Sequence, residues 1–249
     1  GAAVVGRAFG GGQDADYKGR FDPVTATDRA SEDAILAVLG AERPGDAILA
    51  EESGGTPGDG RHWIVDPLDG TVNFVHGIPH IAVSVALYDG PHAIVGVVHD
   101  VVRNEVFAAQ AGAGATVDGD PLAVSRTNDL GLSVVATGFP YDHDVRADAL
   151  AAVVRDVLRS VNGIRRFGSA ALDLAWVAAG RYDAYWELGI APWDGAAGLL
   201  IVREAGGRVT DPHGKDSTPF MPLVVSSNGS VHESLRSLIE PHVGSFEAT

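Results

Sequence analysis

Cysteine is absent from the 249 residues. That excludes disulfides, cysteine-ligated zinc and thiol catalysis. Basic residues are scarce: 18 Lys and Arg stand against 33 Asp and Glu, a formal net charge of −15. Nucleic-acid surfaces need clustered Lys and Arg, so no nucleic-acid partner is expected. The same charge suits an anionic substrate only if bound divalent ions invert the local field. No apolar run reaches the length of a membrane span and no signal peptide is visible, so the expectation is no membrane partner and a cytoplasmic location. Internal repeats and low-complexity segments are also missing. What remains is an ordinary globular composition, 45% apolar and rich in Ala and Gly, long enough for a large core in one unit or two closely packed halves.

One stretch organises the rest, Trp63-Ile64-Val65-Asp66-Pro67-Leu68-Asp69-Gly70-Thr71-Val72-Asn73-Phe74. It starts as a strand, which Pro67 is expected to stop because proline cannot donate to a sheet. Gly70 then frees the backbone, and Thr71 to Phe74 open a helical turn. Two carboxylates held this close repel each other unless a cation sits between them. A hard divalent ion such as Mg²⁺ suits all-oxygen ligands. The N–H groups of Gly70 and Thr71 face outward from the turn, where an anion binds. Metal beside anion points to a phosphate ester. Taken alone, Asp-x-x-Asp-Gly also reads as acids that cap a helix. Two further segments argue for the metal: Glu51-Glu52-Ser53 after an apolar run, and Pro192-Trp193-Asp194-Gly195-Ala196-Ala197-Gly198. Each places an acid where a strand gives way to a loop or helix.

These segments resemble the inositol monophosphatase family of Mg²⁺-dependent, lithium-sensitive phosphatases. Val24-Thr25-Ala26-Thr27-Asp28 and Phe167-Gly168-Ser169-Ala170-Ala171 extend the resemblance, which runs from residue 24 to 211 in the family's order. The chain begins inside what is usually a longer first helix. The resemblance implies a layered α-β-α-β-α sandwich and two or three Mg²⁺ ions per active site. It assigns Glu51, Asp66 and the Leu68 carbonyl to one ion, and Asp66, Asp69 and Asp194 to a second. It implies catalytic roles for Asp28, Thr71 and Glu51, with Thr71 beside the attacking water and hydrogen-bonded to Asp28. Substrate contacts would come from Asp69, Gly70, Thr71, Gly168, Ser169, Ala170, Glu187 and Asp194. The implied reaction is hydrolysis of myo-inositol monophosphate by a homodimer. Fructose 1,6-bisphosphate and histidinol phosphate are the alternative substrates, and a regulatory protein bound to transcription machinery is the alternative role.

In chain order, a helix end (1–11) and a polar, mobile loop (Gln13 to Phe21) precede a helix from Asp28 to about Leu39. A strand at Ala47 to Glu51 delivers Glu51. Strands from His80 to Tyr88, His92 to Val102 and Glu105 to Ala111, joined by turns such as Asp89-Gly90, predict an antiparallel sheet. Residues 1–130 thus form a helix-plus-antiparallel-sheet half. From 131 to 249 strands and helices alternate, as in an α/β layer, with Leu150, Val153, Val154, Val157 and Leu158 on the buried face of one helix. Glu52 should point away from Glu51, because neighbours on an extended segment face opposite ways. His62, His76 and His80 lack a metal-binding spacing and read as structural. Trp193 reads as packing beneath Asp194. Arg165-Arg166-Phe167 reads as surface, with a subunit or substrate contact as its alternative.

Overall fold

The structure, a computed structural model, describes residues 1–12 and 14–247. The first half carries α1 (Ala2–Ala8), β1 (Ala15–Gly19), β2 (Asp22–Thr25), α2 (Ala26–Glu42), β3 (Ala47–Ala50), β4 (Gly54–Gly55), β5 (Arg61–Asp69), α3 (Thr71–Val75), β6 (Ala82–Asp89), β7 (His92–Asp100), β8 (Glu105–Gln110), β9 (Gly114–Val117) and β10 (Asp120–Pro121). The second carries β11 (Val134–Thr137), α4 (Ala147–Leu158), β12 (Gly163–Arg165), α5 (Ala170–Ala178), β13 (Ala184–Leu188), α6 (Pro192–Glu204), β14 (Arg208–Thr210), β15 (Leu223–Ser227), α7 (His232–Ile239) and α8 (Gly244–Glu247).

Two sheets form. One has eight strands in the order β10-β9-β8-β7-β6-β5-β3-β4, and the other five in the order β12-β11-β13-β15-β14. The first is antiparallel except where β3 runs parallel to β5. The second is mixed: β11 is parallel to β12 and β13, while β15 is antiparallel to β13 and β14.

Strand alternation sorts the core into layers. On β5, Ile64 enters the central core with Phe107 and Leu172, whereas Val65 faces α1 and α2 with Val5, Ile35 and Leu39. On β13, Tyr185 joins the central core and Trp186 the far side, against Val153, Leu235 and Ile239 of α4 and α7. The helices α5 and α6 lie between the sheets. Both are apolar around their circumference, as a doubly covered helix must be; every residue of α6 from Gly195 to Val202 is buried. Close approach needs small residues. A Cβ at Gly96 of β7 would lie 2.8 Å from the Ala197 carbonyl, and one at Gly198 would lie 2.6 Å from Leu174. The result is the α-β-α-β-α sandwich.

Several local expectations are corrected. Ala15–Gly19, read as loop, is a strand paired with β2; Gln13 lies outside the described residues. The helix expected from Asp28 starts earlier, capped by Thr25, and Asp28 sits in its first turn. β5 does not stop at Pro67 but runs on to Asp69. Leu158 is 58% exposed rather than inward, because it lies in the last turn of α4 where the helix leaves the core. Among the described residues no helix is long and apolar enough to cross a membrane.

Candidate active site

Pro67 survives in β5 because the ladder to β6 skips there. Asp66 pairs with Ser84 and Asp69 with Ala82, so three steps on one strand face two on the other. This extra residue is a bulge, where a missing N–H costs no ladder bond. The Pro67 carbonyl instead accepts from Ser31 Oγ at 2.7 Å. Residues three apart on a regular strand face opposite sides; the bulge brings Asp66 and Asp69 together. Gly70 follows at φ +91°, and a Cβ there would crowd the carbonyls of His80 and Gly168 at 3.0 and 3.3 Å.

Asp194 arrives from the other half, in the first turn of α6 behind Pro192. Carboxylate oxygens of Asp66, Asp69 and Asp194 lie within 4.8 Å of one another. Each group is aimed by backbone donors: Leu68 N–H to Asp66 at 3.0 Å, Ala171 N–H to Asp69 at 2.8 Å, and Ala191 N–H to Asp194 at 3.1 Å. Ser169 Oγ also donates to Asp69, at 2.6 Å. Burial, then mutual repulsion, pushes the Asp66 and Asp194 carboxyls well above the usual range; burial also raises Asp69, with Ser169 and Ala171 opposing it. Three converging carboxylates with no Lys or Arg hydrogen-bonded to them among the described residues fit a hard cation, which would supply the missing positive charge.

The cluster floors a cleft of about 480 Å³ that also reaches Glu51, Leu68, Gly70, Thr71, Gly168, Ser169, Ala170 and Glu187. Glu51 stands just beyond β3. Burial pushes its carboxyl up to about 7 against the pull of Lys18, whose Nζ lies 2.8 Å from Glu51 and 2.9 Å from Glu52. Thr71 Oγ1 lies 2.9 Å from Asp28 Oδ1 and 3.1 Å from the Leu68 carbonyl, as a hydroxyl that can donate to either. Asp28 is fully buried, and its other oxygen accepts from the Thr25 N–H and hydroxyl. It is thus both part of the helix cap and the partner of Thr71. Glu187 is buried and accepts from the Tyr185 hydroxyl; burial pushes it up to about 7.

The structure therefore brings the expected site residues to one cleft, with Asp28 directly behind it. Asn73, in the same stretch but without an assigned role, fastens the two halves: its Nδ2 donates to the carbonyls of His80 at 2.8 Å and Phe167 at 2.7 Å. His62, His76 and His80 stay out of the acid cluster, and Trp193 packs against the central core. Sequence reasoning missed Lys18, hidden in a stretch read as loop, and Tyr141, on an aperiodic turn. Tyr141 is half-exposed on the cleft wall, and partial loss of water together with the charges of Glu51, Asp194, Asp22 and Asp69 raises its phenol pKa. Asp173, fully buried on the cleft wall, was findable as one acid inside the apolar helix Ala170–Ala178.

Comparison with known proteins agrees with this geometry. The inositol monophosphatase family model matches residues 1–244. The Nus factor SuhB of Pseudomonas aeruginosa is 45% identical over 231 residues, covering 89% of this chain and 84% of that protein. An inositol-1-monophosphatase of Mesorhizobium japonicum is 42% identical over 225 residues, covering 90% and 85%. The crystal structure of the extragenic suppressor protein suhB from Bartonella henselae superposes with a TM-score of 0.91 at 39% identity, covering 96% of this chain and 93% of that one. With its acid cluster at the bulged end of β5 and a match along nearly its whole length, the chain belongs to the inositol monophosphatase family and is a phosphatase of that family.

Proposed function

We propose that the protein hydrolyses phosphate monoesters with Mg²⁺, two or three ions per site, and that myo-inositol monophosphate is its substrate. The observation that carries this reading is the Asp66–Asp69–Asp194 cluster sharing one cleft with Thr71, which is backed by Asp28. Glu51, Asp66 and the Leu68 carbonyl would hold one ion, and Asp66, Asp69 and Asp194 a second. When bound, such ions lower the pKa of water and neutralise charge on the phosphoryl oxygens. The chain's own residues do the rest. Thr71 donates its proton toward Asp28, which leaves its oxygen lone pairs to orient the attacking water. The N–H groups of Gly70 and Thr71 hold the phosphate. Ser169 and the Ala171 N–H fix Asp69, and Gly168, Ser169, Ala170 and Glu187 line the space for the leaving alcohol.

A panel of inositol monophosphate, fructose 1,6-bisphosphate and histidinol phosphate, assayed for phosphate release with Mg²⁺ and after exhaustive chelation, tests the reading. Release from inositol monophosphate that chelation abolishes and Mg²⁺ restores is expected, with lithium inhibitory. Undiminished turnover after chelation overturns the metal assignment; preference for another ester overturns the substrate. The name Nus factor carried by a 45% identical relative favours a second reading, a regulatory binding role beside the phosphatase. Retention of a protein partner by an Asp69→Asn variant supports it. A homodimer is part of the proposal, with Arg165 and Phe167 exposed near the edge strand β12.

A further inference from the structure

Three buried polar residues share one face of α2. Ser31 and Glu32 stand three and four positions after Asp28, and none of the three is more than 3% exposed. Asp28 backs Thr71. Ser31 Oγ donates to the Pro67 carbonyl at 2.7 Å. Glu32 accepts two backbone N–H groups, that of Glu52 on Oε2 at 2.9 Å and that of Ser53 on Oε1 at 2.8 Å. A buried carboxylate is costly unless it is paired or hydrogen-bonded. Among the described residues no Lys or Arg is bound to this one, and the two main-chain donors hold it. The turn that Glu32 grips begins where β3 ends. The Glu51 N–H donates to the Val65 carbonyl at 3.1 Å and extends the β3–β5 ladder by one bond. The next two N–H groups go to Glu32. Every backbone donor from 51 to 53 is thus fixed. Glu51 lines the cleft, whereas Glu52 stays outside its lining.

Glu51 and the Leu68 carbonyl are assigned above to the same ion, yet they come from different strands. Ser31 holds the carbonyl just before Leu68, and Glu32 holds the two N–H groups just after Glu51. The two grips are consecutive residues of one helix, so α2 sets the span between them. We infer that Ser31 and Glu32 are positioning residues: from adjacent places on α2 they fix the separation of Glu51 and the Leu68 carbonyl, and so set the affinity of the ion that these two share without touching it. Mg²⁺ demands near-ideal octahedral geometry, so a small change in ligand span costs affinity. Asp69 and Asp194 are aimed instead by the N–H groups of Ala171 and Ala191, which leaves the second ion outside this device. The inference rests on the Mg²⁺ reading above.

Calorimetric titration of the metal-free full chain with Mg²⁺, beside thermal melts in chelator, tests it. Glu32→Gln keeps the shape of the side chain but turns an amide N–H₂ toward a backbone N–H. It should weaken one class of Mg²⁺ sites by roughly 10–100-fold, the scale of a lost hydrogen bond to a charged group. Ser31→Ala removes one hydroxyl at a position where alanine suits the helix, and should weaken the same class by roughly 3–10-fold. In a Glu51→Gln background Glu32→Gln should add less than about threefold, because the ligand that it positions is already impaired. A lowered Tm with unchanged Mg²⁺ affinity overturns the inference and leaves both residues as helix anchors. Losses that multiply with Glu51→Gln overturn it as well, since a general loosening of the fold would act independently of that ligand. If Glu32→Gln fails to fold, Ser31→Ala, alone and with Glu51→Gln, is judged by the same two criteria. A wild type that binds Mg²⁺ while the variants bind it equally well sinks this inference alone; a wild type that binds none sinks the metal reading with it.

Discussion

The Lys18 ammonium lies 2.8 Å from Glu51 Oε1, on a carboxylate assigned above to a metal ion. Burial works to lower the Lys18 pKa, but Glu51 and Glu52 more than offset it and raise it. The hairpin of β1 and β2 therefore carries a cation of its own into the site. Lys18→Met should remove a competitor and lower the half-saturating Mg²⁺ concentration, roughly 3–10-fold or about 0.6–1.4 kcal/mol. A Mg²⁺ titration of the steady-state rate decides; an unchanged requirement would show that Lys18 does not compete, and a higher one that it helps metal binding.

Thr71 and Asp28 should act as a unit. Thr71→Ala is expected to lower kcat by roughly 10²–10⁴-fold with little change in Mg²⁺ dependence. Asp28→Asn should fall in a similar range, and the double variant should lose little more. Asp69→Asn should weaken Mg²⁺ binding as well as turnover. Asp28 also belongs to the α2 capping box, so thermal melts of the same variants separate the roles. Losses that multiply in the double variant, with a lowered Tm for Asp28→Asn alone, would reduce Asp28 to a cap.

Charge crowding makes the metal-free protein pH-sensitive. Burial raises Glu51 and Glu187 to about 7 in the folded chain, above the ordinary glutamate value near 4.3. The folded state therefore holds protons that the unfolded state has already released. Stability should fall as pH rises from about 4.5 through about 7. Melts in chelator across this range should show Tm declining, about 2–4 °C for each kcal/mol in a chain of this size. Asp66→Asn should flatten the decline, and Mg²⁺ should flatten it in the wild type only. A Tm that climbs over this range in chelator would mean that the acids are not crowded.

Asn73 is a brace rather than a ligand. Its amide has two protons, and the carbonyls of His80 and Phe167 take them at 2.8 and 2.7 Å. Asn73→Asp turns a donor into an acceptor facing those carbonyls and should cost about 1–3 kcal/mol. Because Ser169 reaches Asp69 from the loop that Asn73 holds, kcat should drop as well. Differential scanning calorimetry and single-turnover rates check this; an unaltered Tm with unaltered kcat would remove the brace.

The chemistry of the site was legible because it is local. Asp66, Pro67, Asp69 and Gly70 lie within five positions and point to acids crowded at a turn; the Glu51 and Asp194 segments and the family resemblance are what favour a cation over a helix cap. Asp194 behind Pro192 was legible for the same reason. The bulge was not: proline marks a missing donor, but only the partner strand decides whether the ladder ends or skips. Lys18 was lost because its hairpin pairs strands too polar to alternate, with exposed faces on β1. Arg166 was ambiguous because an arginine reaches water or a cleft equally well from one backbone position, and in the structure it does both, lining the cleft while staying exposed.

The helices α5 and α6 that cover the inner face of the eight-stranded sheet belong to the second half of the chain. During synthesis that sheet's strands emerge first, with Ile64, Ala86, Val98 and Phe107 facing nothing until residues beyond 170 follow. At about 5–20 residues per second the apolar face stays uncovered for several seconds. The order of the layers thus sets how long the nascent chain carries an uncovered apolar face, and Leu172, Leu174 and Leu199 are among the side chains that close it.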